Sequence, residues 1–135
     1  MTSDRYLSGV PILVVEDDPG IRQGIADFLG FEGYAVDVAV NGEEALSYLK
    51  FRRPSLVVLD LVMPVMNGPQ LLKRLRDEGI AAGVPVAIMT AAMPGASSLP
   101  VADAYLSKPF DLDELLQVVG RHAGPPGHSG DGPPG

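Results

Sequence analysis

The sequence predicts an α/β fold: a doubly wound, five-stranded parallel sheet with helices on both faces. Two observations point there. Five short runs, at residues 10–15, 34–39, 55–59, 84–89 and 104–106, are largely apolar, and several are rich in valine and isoleucine, as strands buried on both faces are. Helix-period patterns lie between most of them, and strand-helix alternation builds parallel sheets. In such sheets ligands sit beyond the C-terminal ends of the strands, where strand order reverses.

The first run ends in Glu16-Asp17-Asp18. Ile21, Ile25, Phe28 and Leu29 then repeat at helical spacing, with Pro19 suited to the first turn and Asp18 to the N-cap. Ala45, Leu46 and Leu49 mark a second, shorter helix after the second run. The third run ends at Asp60, and the helix after it carries Leu71, Leu72 and Leu75, with Lys73, Arg74 and Arg76 toward solvent. The fourth run ends at Thr90. The stretch AAMPGASSLP that follows has two prolines and a glycine in ten residues, which allows a single helical turn at best. The fifth run leads to Lys108-Pro109. In the last helix Leu112, Leu115, Leu116 and Val119 line one face, with Asp111 as N-cap and Glu114 as its capping-box partner. The expected organisation is an N-terminal extension at 1–9, one domain at 10–122 and a disordered tail at 123–135, whose last twelve residues include nine glycines and prolines.

The bulk numbers narrow the function. A chain of 135 residues is long enough for one real core. A net charge of −7 argues against nucleic acid or an anionic membrane as partner, and zero cysteines exclude disulfides, thiolate metal sites and cysteine nucleophiles. The N-terminal MTSDRYLSG lacks the pattern of a signal peptide, and no apolar run approaches a membrane span. A soluble, cytoplasmic protein is expected.

The polar residues at the strand ends carry the chemistry. Glu16, Asp17, Asp18, Asp60, Thr90 and Lys108 all fall on one rim of the predicted sheet. Two like charges about 4 Å apart oppose each other by roughly 4 kcal/mol at an effective dielectric near 20. Clustered acids therefore splay into water, protonate or hold a cation. Oxygen ligands without histidine or cysteine suit Mg²⁺. Singly, each residue has a plainer reading: Asp18 as a helix cap, Asp60 as a turn residue, Thr90 as a strand end, Lys108 as a surface lysine. Their shared rim is what favours a site.

Four segments in order, ILVVEDDP, LVVLDLVMPVMNG, Thr90-Ala91 and YLSKPF, make residues 10–122 resemble the response-regulator receiver domain of two-component signalling. The resemblance implies a flavodoxin-like sheet of order 2-1-3-4-5. It implies that Asp60 accepts a phosphoryl group from a phosphohistidine on a sensor histidine kinase or phosphotransfer protein, switching the binding of a downstream protein. Asp17, Asp60 and the backbone carbonyl of Val62 would bind Mg²⁺, Glu16 acting through a water. Thr90 and Lys108 would contact phosphoryl oxygens, Tyr105 would report the state of Thr90, and the Lys108–Pro109 peptide would be cis. Such a domain catalyses its own phosphorylation and dephosphorylation, with no turnover of an external substrate.

This sequence departs from the family between Thr90 and Lys108, an interval about one helical turn short, so the fourth helix is expected to be shortened or lost and residues 93–100 to form a mobile loop. Val62 and Ala92, apolar at positions that tune phosphoryl lifetime, point to slow autodephosphorylation; Asn67, where aspartate is common, looks neutral. No output domain is expected after the last helix, and His122 and His128 are read as solvated. Two rivals differ in class. A Mg²⁺-dependent phosphohydrolase would need an acid/base two residues after its nucleophile, where Val62 stands. A receiver-like interaction module working without phosphorylation draws its support from the shortened helix region. A nucleotide site lacks its Gly-rich loop.

Overall fold

The computed structural model describes residues 10–91 and 100–126. In chain order these form β1 (Ile12–Val15), α1 (Pro19–Phe31), β2 (Val36–Ala39), α2 (Gly42–Phe51), β3 (Leu56–Asp60), α3 (Gly68–Glu78), β4 (Val86–Thr90), β5 (Ala104–Ser107) and α4 (Leu112–Ala123). All neighbouring strands pair in parallel, in the order β2-β1-β3-β4-β5. Successive side chains of a strand point to opposite faces, so a strand covered on both sides must be apolar throughout. Ile12, Val14, Leu56 and Val58 pack with Ile25 and Leu29 of α1 and Leu115 and Val119 of α4. The alternate residues Leu13, Val15, Val57 and Leu59 pack with Ala45, Leu46 and Leu49 of α2 and Leu71 and Leu75 of α3.

The helix starts follow capping chemistry. Asp18 caps α1 by accepting from the Ile21 amide at 3.0 Å, and Asp111 forms a reciprocal capping box with Glu114 on α4. Asn67 has a role that the sequence reading missed. It caps α3, exchanging bonds with Gln70 at 2.9 Å each way, so its amide oxygen serves where a carboxylate would.

Among the described residues no helix stands between β4 and β5. Residues 92–99, which hold Ala92 and most of the expected loop, lie outside them. At the other end α4 runs to Ala123, one residue into the expected tail. Residues 124–126 are also placed: the Tyr34 hydroxyl donates to the Gly124 carbonyl at 2.7 Å, and Pro126 sits against Gly33. These contacts hold the start of the tail; 127–135, with His128, lie outside the described residues.

Candidate functional site

Four strands end on one rim, and register decides which residues meet there. Val15 lies opposite Leu59, so the residues that follow, Glu16 and Asp60, come side by side across the β1–β3 pair. Thr90 lies opposite Ser107, placing Lys108 just beyond, where its amide donates to the Thr90 carbonyl at 2.8 Å. Lys108 then reaches back across the rim. Its Nζ is 3.1 Å from Glu16 Oε1 and 3.3 Å from Asp60 Oδ1. The peptide bond to Pro109 is cis.

Burial sharpens the electrostatics. Glu16 is 1% exposed and Asp60 5%, whereas Asp17 is exposed. One ammonium cannot neutralise two buried carboxylates. Burial, aided by the Asp60 carboxylate, pushes the Glu16 pKa up to about 7, against the opposing pull of the Asp18 amide and Lys108. Burial also disfavours the Lys108 charge, but the bond to Glu16 and the charge of Asp60 outweigh it and leave its pKa raised. The Asp18 amide donates to Glu16 Oε2 at 3.2 Å, and the Val62 amide to Asp60 Oδ1 at 3.3 Å.

Glu16, Asp17 and Asp60 each offer one carboxylate oxygen within 4.8 Å of the others. Ligands on opposite sides of Mg²⁺ stand about 4 Å apart, and the ion prefers oxygen donors with waters completing its shell. The donor set therefore fits a hard divalent cation. Thr90, 5% exposed, ends β4 on the same rim. Tyr105, on β5, has its hydroxyl occupied: it donates to the Pro100 carbonyl at 2.6 Å and accepts from the Ala102 amide at 3.0 Å. Val62, 80% exposed, follows Asp60 in a loop clamped by two glycines. The Gly68 amide donates to the Leu61 carbonyl and the Gly42 amide to the Met66 carbonyl, at 3.0 and 2.9 Å.

Residues 12–120 match the response regulator receiver domain family. The chain belongs to this family. The receiver domain is 40% identical over 115 residues to response regulator Rre1 of Synechocystis, covering 82% of this chain and 50% of that one. It is 39% identical over 111 residues to response regulator MprA of Mycobacterium tuberculosis, covering 79% and 47%. The chain thus spans about half the length of the curated relatives it matches. Among solved structures it resembles the Thermotoga maritima response regulator TrrA in complex with Mg²⁺ and BeF, at 36% identity and a TM-score of 0.74 over 83% of this chain and 97% of that one. It also resembles the receiver domain of the sensor histidine kinase PA1611 from Pseudomonas aeruginosa, with magnesium coordinated in its active-site cleft. That match has 29% identity and a TM-score of 0.79 over 87% of this chain and 99% of that one. No helix among the described residues is long and apolar enough to cross a membrane.

Proposed function

We propose that this receiver domain is a phospho-acceptor switch in which Asp60 takes a phosphoryl group from a phosphohistidine on a sensor histidine kinase or phosphotransfer protein. The observation that carries the reading is the lysine bridge: Lys108 Nζ stands within 3.3 Å of both Glu16 and Asp60, beside three converging carboxylates. Asp17, Asp60 and the backbone carbonyl of Val62 would hold Mg²⁺, with Glu16 acting through a water. Bound there, the ion supplies positive charge that offsets repulsion between a carboxylate and an anionic phosphoryl donor. An Asp60 oxygen forms the new P–O bond as the P–N bond to the donor imidazole breaks, the nitrogen keeping the electron pair. Lys108 moves from pairing with the Asp60 carboxylate to pairing with a phosphoryl oxygen, so its charge is not desolvated anew. Thr90 supplies a hydroxyl to another phosphoryl oxygen, and Tyr105 follows Thr90. Phosphorylation would change the binding of a downstream protein.

Intact-mass spectrometry after incubation with acetyl phosphate, with Mg²⁺ or with EDTA, tests this. Wild type is expected to gain one phosphoryl group only with Mg²⁺; Asp60→Asn is expected to gain none. Lys108→Ala is expected to keep Mg²⁺ affinity and lose phosphorylation. If wild type neither gains the group nor binds beryllofluoride, the interaction module that works without phosphorylation becomes the better reading. The short interval between Thr90 and Lys108 in the sequence is what favours that alternative.

A further inference from the structure

The exposed Asp17 carboxylate has no hydrogen bond or ion pair among the described residues that would hold it in place. What aims it is therefore the backbone, which sets its Cα–Cβ direction. That backbone is gripped from the next helix: Arg22, half-buried in the first turn of α1, donates from one nitrogen, Nη1, to the Glu16 carbonyl at 2.9 Å and the Asp17 carbonyl at 3.3 Å. These two bonds fix the peptide planes on both sides of the Asp17 Cα. The Glu16 amide is fixed as well, donating to the Ala39 carbonyl of β2 at 3.1 Å. Arg22 makes no ion pair among the described residues, so its guanidinium serves as a donor to carbonyls and not as a counter-ion to the carboxylates.

We propose that Arg22 is a positioning residue for the acidic cation site, its guanidinium bridging the Glu16 and Asp17 carbonyls so that both carboxylates face Asp60. The inference rests on the reading of that cluster as a Mg²⁺ site. It makes a prediction whose sign separates it from simple electrostatics. A fixed positive charge near a cation site repels the cation, so removing it for electrostatic reasons alone would tighten Mg²⁺ binding. Losing the clamp has the opposite effect, because groups that orient metal ligands support affinity by about tenfold or more. Lysine keeps the charge, but its side chain is one atom shorter than arginine's, so its ammonium falls short of the position from which Nη1 reaches both carbonyls.

The test measures Mg²⁺ binding by calorimetry for wild type, Arg22→Met, Arg22→Lys and Asp17→Ala, well below each melting temperature. Amide exchange at Asp17 and Asp18 is followed in the metal-free proteins. The expected result is Mg²⁺ affinity about tenfold weaker in both Arg22 variants and faster exchange at the two amides. Equal or tighter Mg²⁺ binding in either folded variant overturns the proposal, as does unchanged exchange. If Arg22→Met does not fold, Arg22→Lys decides. Absence of Mg²⁺ binding by wild type, or binding that Asp17→Ala leaves intact, overturns the cation site itself and this inference with it. Wild-type binding lost in Asp17→Ala but kept in the Arg22 variants overturns this inference alone.

Discussion

Mg²⁺ binding is expected to release a proton, and the structure sets the size of the effect. Glu16 is buried beside Asp60, with Lys108 shared between them, and its pKa stands at about 7. A carboxyl with that pKa is about one-tenth ionised at pH 6 and about nine-tenths ionised at pH 8. If the cation requires Glu16 ionised, the apparent affinity at pH 6 falls about tenfold below that at pH 8, or about 1.4 kcal/mol. Calorimetry at pH 6 in two buffers of different ionisation enthalpy reads the same event directly, as close to one proton released per ion bound. Glu16→Gln removes the titrating group, so its residual binding is expected to lose most of this pH dependence and proton release. A wild-type affinity flat from pH 6 to pH 8, with no proton release, would refute the reasoning: either Glu16 is ionised throughout or the cation ignores it.

The same carboxyl predicts a stability profile for the metal-free protein. Its pKa is raised from an ordinary 4.5 to about 7, so between those values the native state holds more protons than the unfolded chain, and stability is lost as pH rises through that window, by about 3 kcal/mol at most. Chemical denaturation at pH 5 and pH 8 checks this, and Glu16→Gln is expected to flatten the profile. Val65, a β-branched residue at φ 70° in the loop after Asp60, is strained; Val65→Asn is expected to stabilise by about 1 kcal/mol, read as a melting temperature higher by about 4 °C. Gly42→Ala improves helix propensity on paper, yet the added Cβ would lie 2.4 Å from the Met66 carbonyl oxygen; denaturant titration is expected to show a loss of about 2 kcal/mol.

The strands were legible because burial on both faces leaves unbroken apolar runs, and each run ends where its chain reaches the polar rim. That is why Glu16, Asp60, Thr90 and Lys108 are legible in the sequence as residues of one rim. The helices showed their inward stripes, although Ile21, counted in the α1 stripe, is 39% exposed beside the rim and Leu112, counted in the α4 stripe, 47%, while the buried Val118 was not counted. What could not be read were relations that depend on register and rotamer. The bridge from Lys108 to Glu16 joins residues 92 positions apart, and nothing local marks either as a partner. The near-complete burial of Glu16 beside an exposed Asp17 arises just past the end of β1, where no strand period marks which residue turns inward. Arg22 carries only a faint signal, an arginine one helical turn past an acidic loop. Asn67 could have been found, since Asn followed three residues later by Gln is a capping pattern.

The lysine bridge has a consequence for how the molecule assembles. Glu16 and Asp60 meet as soon as β3 docks on β1, but their shared cation arrives only with β5, from the far end of the chain. Any partly built sheet that holds β1 and β3 without β5 carries the two acids uncompensated. The last strand in the chain is thus also the one that brings the rim its cation, which ties completion of the sheet to completion of the site and disfavours a stable half-domain.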